Sequence, residues 1–387
     1  MEEKRLYLDT AATAPLCAQA AEAMRQMQQV FANPASQHTE GQRARAAYED
    51  ICAQTAQILG CKPGELVFTS GGTESDNLAM KGYAFANRSR GKHIVVSAVE
   101  HPAVLQSAAF LEQCGFEITY LPVDRSGSIC LQELRHAMRR DTILVAVMHV
   151  NNETGVIQPV QAIAQIAHDA GAAFFSDGVA AAGHTAIDQA VAQADLYALS
   201  AHKFGGPKGA GLLFVREGVL LEPILHGGGQ QQGRRSGTPA LPLYAGLSAA
   251  LQCAQKRVRC DAYARRMEEI RCAFERAVLR QPHAQISGCD APRAPGYSHV
   301  TFSGLSGEGI AALLDIKGVA ASAGAACHAG DLTPSHVMLA MGMPQEQALG
   351  SVRFTFPDDL TAEDAKTLGG TVVDVVSGLY DAKLTEN

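Results

Sequence analysis

The sequence predicts an α/β protein with two domains, a large one built on a mostly parallel sheet and a smaller α+β one. Between residues 60 and 220, short segments rich in β-branched and aromatic residues alternate with alanine-rich helical segments. After about residue 250 the pattern changes to a charged helical stretch at 254–280, followed by a proline- and glycine-rich connection at 282–296. The chain has 387 residues, of which 47 % are apolar, so it can bury a large core.

The individual elements follow from local pattern. Strands of the large domain are predicted at 66–68, 93–96, 118–120, 143–147, 173–175 and 212–215. A helix is predicted over 160–170, ending at Gly171. In the smaller domain we expect a strand at 300–302, helices near 307–316 and 361–380, and a further helix capped by Thr333 with Pro334 as its first residue. The predicted domain limits are 16–255 for the large domain, and 1–15 with 256–387 for the small one.

Composition excludes several classes of function. The net charge is −7, and no run of basic residues is longer than two, which argues against a nucleic-acid or membrane surface. The first ten residues lack the apolar run of a signal peptide, and no apolar span of membrane length occurs, so a cytoplasmic location is expected. The ten cysteines are scattered without Cys-x-x-Cys pairs or metal-ligand spacing, which predicts reduced thiols and no metal site.

A glycine-rich turn follows the first predicted strand of the large domain. The strand runs into Gly71 and Gly72, and a helix begins at about Thr73. Glycines let the backbone approach an anion closely, and the free N–H groups of a helix start attract negative charge. A phosphate site fits this segment, although an ordinary strand-to-helix turn would have the same sequence.

Three further strand ends carry polar groups with chemical uses. Ser200, His202 and Lys203 follow one strand, and a lysine at a buried strand end is costly unless it is paired or forms a Schiff base. Asp177 ends another strand, where open α/β sheets place functional groups. His101 follows a third. Taken singly, each has a plain alternative: a solvated loop lysine, a helix N-cap aspartate and a loop histidine.

One cysteine stands apart from the other nine. Cys327 lies among small residues at 322–330, which predicts a loop that exposes its thiol. An exposed thiol becomes a nucleophile when a neighbour stabilises its thiolate, and His328 is adjacent. An idle surface cysteine is the alternative.

Taken in order, these segments resemble the cysteine desulfurases of iron–sulfur cluster assembly, which are pyridoxal-phosphate enzymes of fold type I in the class V aminotransferase family. The similarity runs nearly end to end. Its landmarks are residues 7–13, 33–36, 69–75, 100–102, 151–155, 200–203 and 235–238, the Cys327 loop and Arg353.

The resemblance implies roles for individual residues. Lys203 would hold pyridoxal phosphate as a Schiff base, Asp177 would pair with the ring nitrogen, and His101 would stack on the ring and move protons. The remaining cofactor contacts would come from Gly72, Thr73, Asn152, Ser200, His202 and, from the second subunit of a homodimer, Thr238. Asn152 and Arg353 would bind the substrate carboxylate. Cys327 would take the sulfur of L-cysteine as a persulfide, and the enzyme would release L-alanine. The sulfur would then pass from Cys327 to an acceptor or scaffold protein.

Three positions depart from the family pattern. Ala180 replaces a glutamine that bonds the phenolic oxygen of the cofactor, Ala325 replaces a serine, and Gln231 replaces a glutamate. Two other functions therefore stay open. One is a lyase on the same scaffold that acts on selenocysteine or a cysteine conjugate, and the other is a weakened homologue that serves as a sulfur-relay scaffold.

Overall fold

The structure, a computed structural model, describes residues 5–324 and 333–385. Cys327, Ala325 and His328 lie outside the described residues. The strands, in chain order, are β1 (Leu6–Tyr7), β2 (Leu66–Thr69), β3 (His93–Ser97), β4 (Glu117–Leu121), β5 (Thr142–Ala146), β6 (Ala173–Asp177), β7 (Leu196–Ser200), β8 (Gly211–Val215), β9 (Ala284–Ile286), β10 (Tyr297–Phe302), β11 (Val319–Ala320), β12 (Ser322–Ala323) and β13 (Ser351–Thr355).

The α-helices are α1 (Ala18–Met27), α2 (Thr39–Leu59), α3 (Gly72–Asn77), α4 (Tyr83–Asn87), α5 (Pro102–Gln113), α6 (Leu131–Ala137), α7 (Val160–Asp169), α8 (Asp188–Gln193), α9 (Leu241–Val258), α10 (Asp261–Val278), α11 (Gly307–Ile316), α12 (His336–Ala340), α13 (Gln345–Ala348) and α14 (Ala362–Thr385). A π turn, Leu78–Gly82, joins α3 to α4. Short 3₁₀ helices occur at Pro63–Glu65, Ala201–Lys203 and Gln231–Gly233. Across the described residues, no helix is long and apolar enough to cross a membrane.

The main sheet has seven strands in the order β2-β8-β7-β6-β5-β3-β4. The pairs β3–β4, β3–β5, β5–β6 and β6–β7 are parallel. Strand β8 is antiparallel to both of its neighbours, β7 and β2. The prediction of a mostly parallel sheet is therefore confirmed. Because β2 and β7 are both antiparallel to β8, their carboxyl ends lie at the same edge of the sheet.

Both faces of this sheet are covered by helices. Because successive side chains of a strand point to opposite faces, Val95 and Phe174 pack in one buried cluster while Val96 and Phe175 pack in another. The first cluster includes apolar residues of α1, α2, α7 and α9, and the second includes those of α5. Burial on both faces explains why these strands read as continuous apolar runs.

A third buried cluster belongs to the second half of the chain. Strands β9, β10, β12 and β13 form an antiparallel sheet of four, and β1 pairs in parallel with β11. Phe274 of α10 packs on Phe354 of β13 with ring centroids 4.8 Å apart. Leu8, from the start of the chain, lies in the same cluster.

Two local predictions were wrong. The stretch 254–280 is not one helix: α9 ends at Val258, and Cys260 is extended (φ −88°, ψ 113°) before α10 begins. The break allows α9 to pack on α1 and α2 while α10 packs on α14. The helix near Pro334 begins later than predicted, because Ser335 is the residue whose hydroxyl accepts the N–H groups of Val337 and Met338.

Candidate active site

A cavity of about 390 Å³ lies at the carboxyl-end edge of the main sheet. Its lining comes from the turns after β2, β3, β5, β6 and β7, with additions from both ends of the chain. The lining residues are Ala12, Gly72, Thr73, Asp76, His101, Pro102, Met148, Asn152, Glu153, Asp177, Val179, Ala180, Ser200, His202, Lys203, His336 and Arg353. This is the edge at which open α/β sheets bind ligands.

Nine residues singled out from the sequence meet in this cavity. They are Gly72, Thr73, His101, Asn152, Asp177, Ser200, His202, Lys203 and Arg353. Thr238 does not line it and is exposed on the surface of the described chain. Cys327 lies outside the described residues.

Lys203 sits where the chain turns after β7. The strand ends at Ser200, and the 3₁₀ turn Ala201–Lys203 directs the lysine to the cavity. Its Nζ donates a hydrogen bond to the carbonyl oxygen of Ala11 at 2.6 Å. Because the lysine lines the cavity, its positive charge acts on the neighbouring titratable groups there.

Asp177 faces the same space from the end of β6. It is 4 % exposed, and its Oδ1 accepts the N–H of Val179 at 2.8 Å. Burial raises the pKa of Asp177 to about 6, while that hydrogen bond and the charge of Lys203 act in the opposite direction. A carboxyl group with this pKa is mostly ionised at neutral pH.

Two further carboxyl groups are buried beside Asp177, and sequence reasoning missed them as site residues. Asp76, on α3, lines the cavity, and its Oδ1 has no hydrogen-bond partner among the described residues. Glu100 accepts the N–H of Met148 at 2.7 Å. Burial, together with the charge of Asp177, raises the pKa of both groups well above the usual range. The only sequence signal was the position of Glu100 immediately before His101.

The glycine turn forms one end of the cavity. A Cβ on Gly72 would lie 2.7 Å from Cγ2 of Val179, so the turn needs glycine here to approach β6 and β7. His202, at the same end, has a buried Nδ1 without a hydrogen-bond partner among the described residues. Burial lowers the pKa of His202 to about 4, so its ring is neutral.

A partly buried ion pair holds this turn in place from outside the cavity. Arg235 Nε lies 2.8 Å from Oε1 of Glu74 on α3, and both side chains are less than one-fifth exposed, at 16 % and 11 %. Glu74 also accepts the N–H of Ser70 at 2.7 Å. The segment that carries Thr238 is thereby attached to the glycine turn.

Arg353 lies at the opposite end, on β13. It is 3 % exposed; one terminal nitrogen donates to the carbonyl oxygen of Asn152 at 2.8 Å and the other to Asp9 at 2.8 Å. Its Nε and the side-chain oxygen of Asn152 are buried without partners among the described residues. Buried groups of this kind are usually satisfied by a ligand or by water, so a polar ligand group fits here.

The second half of the chain also contributes residues of α12 and its N-cap to the end of the cavity that contains Arg353. Ser335, the N-cap of α12, donates its hydroxyl to Oε2 of Glu153 at 2.5 Å. Glu153 is fully buried, and its Oε1 has no partner among the described residues. His336, the first residue of α12, also lines the cavity. Neither Glu153 nor His336 was marked by sequence reasoning, since each depends on contacts between distant segments.

The fold and the cavity define an α/β enzyme in which a lysine at a strand end faces a buried carboxylate. The chain belongs to the aminotransferase class-V family, whose model matches residues 6–368. This confirms the resemblance read from the sequence at the level of the family.

Individual relatives are similar over nearly the whole chain. A "Cysteine desulfurase IscS" of Methanosarcina thermophila is 42 % identical, over 98 % of this chain and 93 % of that protein. A protein of the same name from Dictyoglomus turgidum is also 42 % identical, over 94 % of this chain and 92 % of its own length. A solved "NIFS-LIKE PROTEIN" superposes with a TM-score of 0.89 at 31 % identity, covering 96 % of this chain and 99 % of that one. The structure described as "SspA in complex with cysteine" has a TM-score of 0.79 at 34 % identity, covering 91 % and 99 %.

Proposed function

We propose that this protein is a pyridoxal-phosphate-dependent cysteine desulfurase, which converts L-cysteine to L-alanine and transfers the sulfur to Cys327 as a persulfide. The observation that supports this most strongly is the convergence of Lys203, Asp177, His101 and Arg353 on one cavity. Relatives that carry the name cysteine desulfurase at 42 % identity add to it.

The residues of the cavity fit the cofactor. Its volume, about 390 Å³, is in the range of small-ligand sites. The unpartnered Nδ1 of His202 lies with Thr73 and Ser200 at the glycine turn, where a phosphate would meet polar groups. Gly72 leaves the space that a Cβ would fill. Asp177, buried and acidic, suits the ring nitrogen, and Lys203 suits the aldehyde.

The mechanism assigns one task to each group. When bound, pyridoxal phosphate supplies a protonated ring that withdraws electrons from the substrate Cα. Asp177 would hold the proton on the ring nitrogen, and the amino group of Lys203 would accept the proton from the substrate Cα. Arg353 and Asn152 hold the substrate carboxylate. The Cys327 thiolate would then attack the substrate sulfur, so that an S–S bond forms as the C–S bond of the substrate breaks. The electron pair of the broken bond would stay with the carbon skeleton, and its protonation would complete L-alanine.

We further propose a cytoplasmic homodimer in which Thr238 of the partner subunit completes the phosphate contacts. The exposure of Thr238 on this chain supports the idea, because it leaves the side chain available to a second copy. The proposed domains are 16–255 for cofactor binding, and 1–15 with 256–387 for the part that carries Cys327. The separate buried cluster that contains Leu8 and Phe354 supports this division. Sulfur would then pass to an acceptor or scaffold protein, as in iron–sulfur cluster assembly.

The test is to incubate the purified enzyme with L-cysteine, to measure L-alanine and to seek one added sulfur on the Cys327 peptide by mass spectrometry. We expect Cys327→Ser to keep the bound cofactor and lose alanine formation, whereas Cys289→Ser, which changes an exposed cysteine outside the cavity lining, keeps both. Undiminished turnover in Cys327→Ser would instead favour the lyase. A colourless protein that pyridoxal phosphate does not reconstitute would favour the scaffold.

A further inference from the structure

Two of the three histidines that line the cavity, His101 and His336, present opposite hydrogen-bonding groups. His101 is the N-cap of α5, and its Nδ1 accepts the N–H of Ala103 at 3.1 Å. A neutral imidazole carries one proton, so that of His101 is on Nε2. Burial, with Lys203 and His336 adding to it, lowers the pKa of His101 to about 4, which keeps the ring neutral at pH 7. His101 therefore offers a donor to the cavity.

His336 has the reverse arrangement. Its Nε2 lies 2.9 Å from the carbonyl oxygen of Glu100, and a carbonyl only accepts, so Nε2 carries the proton. In the neutral ring, Nδ1 is then an acceptor. Within residues 5–324 and 333–385, no group donates a hydrogen bond to this Nδ1. The contact with Glu100 also fixes the ring against rotation at the first turn of α12.

Resting on the proposed function, we propose that Nδ1 of His336 accepts a hydrogen bond from the thiol of bound L-cysteine and so selects a substrate that carries a thiol. The substrate carboxylate is held by Arg353 and its amino group is directed to Lys203, which leaves the side chain as the free group. A thiol can donate a weak hydrogen bond to an acceptor, and the Nε2 of His101 does not provide one.

Glu153 and Asp76 also line the cavity, and each has a polar neighbour of its own. Glu153 takes the hydroxyl of Ser335 at 2.5 Å, and Asp76 lies beside Asp177 on the cofactor side. His336 also follows Cys327 by only nine positions in the chain. A hydrogen bond to His336 would thus hold the substrate sulfur at the side of the cavity that is lined by the first residue of α12.

The experiment compares two ligands in the holoenzyme. The Cys327→Ser background prevents sulfur transfer, so the affinities of L-cysteine and L-alanine follow from the absorbance change of the cofactor. His336→Gln keeps an amide donor for the carbonyl of Glu100, but its only acceptor, Oε1, lies one bond further from Cγ than the Nδ1 it replaces. We expect this variant to bind L-cysteine about tenfold more weakly, as for loss of one hydrogen bond, and L-alanine within about twofold of the unsubstituted protein.

Equal weakening for both ligands would overturn the proposal, because it would indicate a general structural role. Unchanged affinity for L-cysteine would also overturn it. Failure of the proposed function is a separate result, since it appears as a lack of alanine formation in the enzyme with native His336 and Cys327.

Discussion

We predict that Gln231→Glu, which restores the residue usual in the family, destabilises this protein. The side-chain amide of Gln231 bonds the backbone of Phe68 on the edge strand β2 in two ways: Oε1 accepts the N–H at 2.7 Å, and Nε2 donates to the carbonyl oxygen at 2.8 Å. Gln231 adopts φ +53° to make this contact. A carboxylate keeps the first bond, loses the second and places negative charge against the carbonyl oxygen.

The cost follows from that lost donor. An acceptor left unsatisfied in a buried setting costs about 1–3 kcal/mol, and a stronger bond from the N–H to the carboxylate offsets part of it. We therefore expect the free energy of local opening of β2 to fall by about 2 kcal/mol, which corresponds to roughly thirtyfold faster hydrogen exchange. Hydrogen exchange followed by mass spectrometry of the peptide over 66–69 measures this.

Gln230→Glu is the matched control. The side-chain oxygen of Gln230 accepts the N–H of Gly237 at 2.9 Å, so a carboxylate preserves this bond while adding the same charge at the neighbouring position. Equal exchange in the two variants would refute the reasoning. At a pH low enough to protonate the carboxyl group introduced at position 231, that group regains a donor, and the difference between the two variants should shrink.

The structure also predicts how two further substitutions change the free energy of unfolding. Burial raises the pKa of Asp177 to about 6, above its ordinary value of 3.8. The carboxyl group therefore destabilises the cofactor-free protein least at low pH, where it is protonated. The free energy of unfolding falls as the pH rises between those two values. Asp177→Asn should therefore stabilise the cofactor-free protein by about 3 kcal/mol at pH 7.5 in urea unfolding and by little near pH 4; an equal gain at both pH values would contradict this. Gly178→Ala would place a Cβ inside the ring of Tyr197, whose hydroxyl bonds Nδ1 of His149 at 2.8 Å. We expect a loss of about 3 kcal/mol in urea unfolding, against a small gain for Gly378→Ala, which meets nothing within 4 Å on α14; similar values for the two glycines would show that the overlap is relieved at no cost.

Strand positions and the ends that carry polar groups were predictable from sequence, because apolar β-rich runs and the glycines that follow them are local signals. The segment 173–175 and the aspartate after it correspond to β6, which the structure extends to Asp177. The break at Cys260 was not predictable, since the charged helical pattern continues across it and only packing on two different cores imposes the turn.

The cavity was predictable in part for the same reason. Lys203 and His101 stand at strand ends and could be chosen locally, whereas Asp76 reads as an ordinary polar residue of a first helical turn. His336 and Glu153 acquire meaning only when α12 meets the turn after β5. Side chains that depend on contacts between segments so far apart in the chain leave no pattern in a single sequence.

The antiparallel strand β8 sets the width of the ligand cavity. It lies between β2 and β7, so the turn after β2 and the turn that carries Lys203 are two strand spacings apart, roughly 10 Å. Gly211 opens β8, and a Cβ there would lie 2.5 Å from the backbone of Gly71. The missing side chain lets the first turn fold over the top of β8 towards Ser200. Strand β8 thus sets the distance between the two turns, and the absence of a side chain at Gly211 allows the turn after β2 to cross over β8.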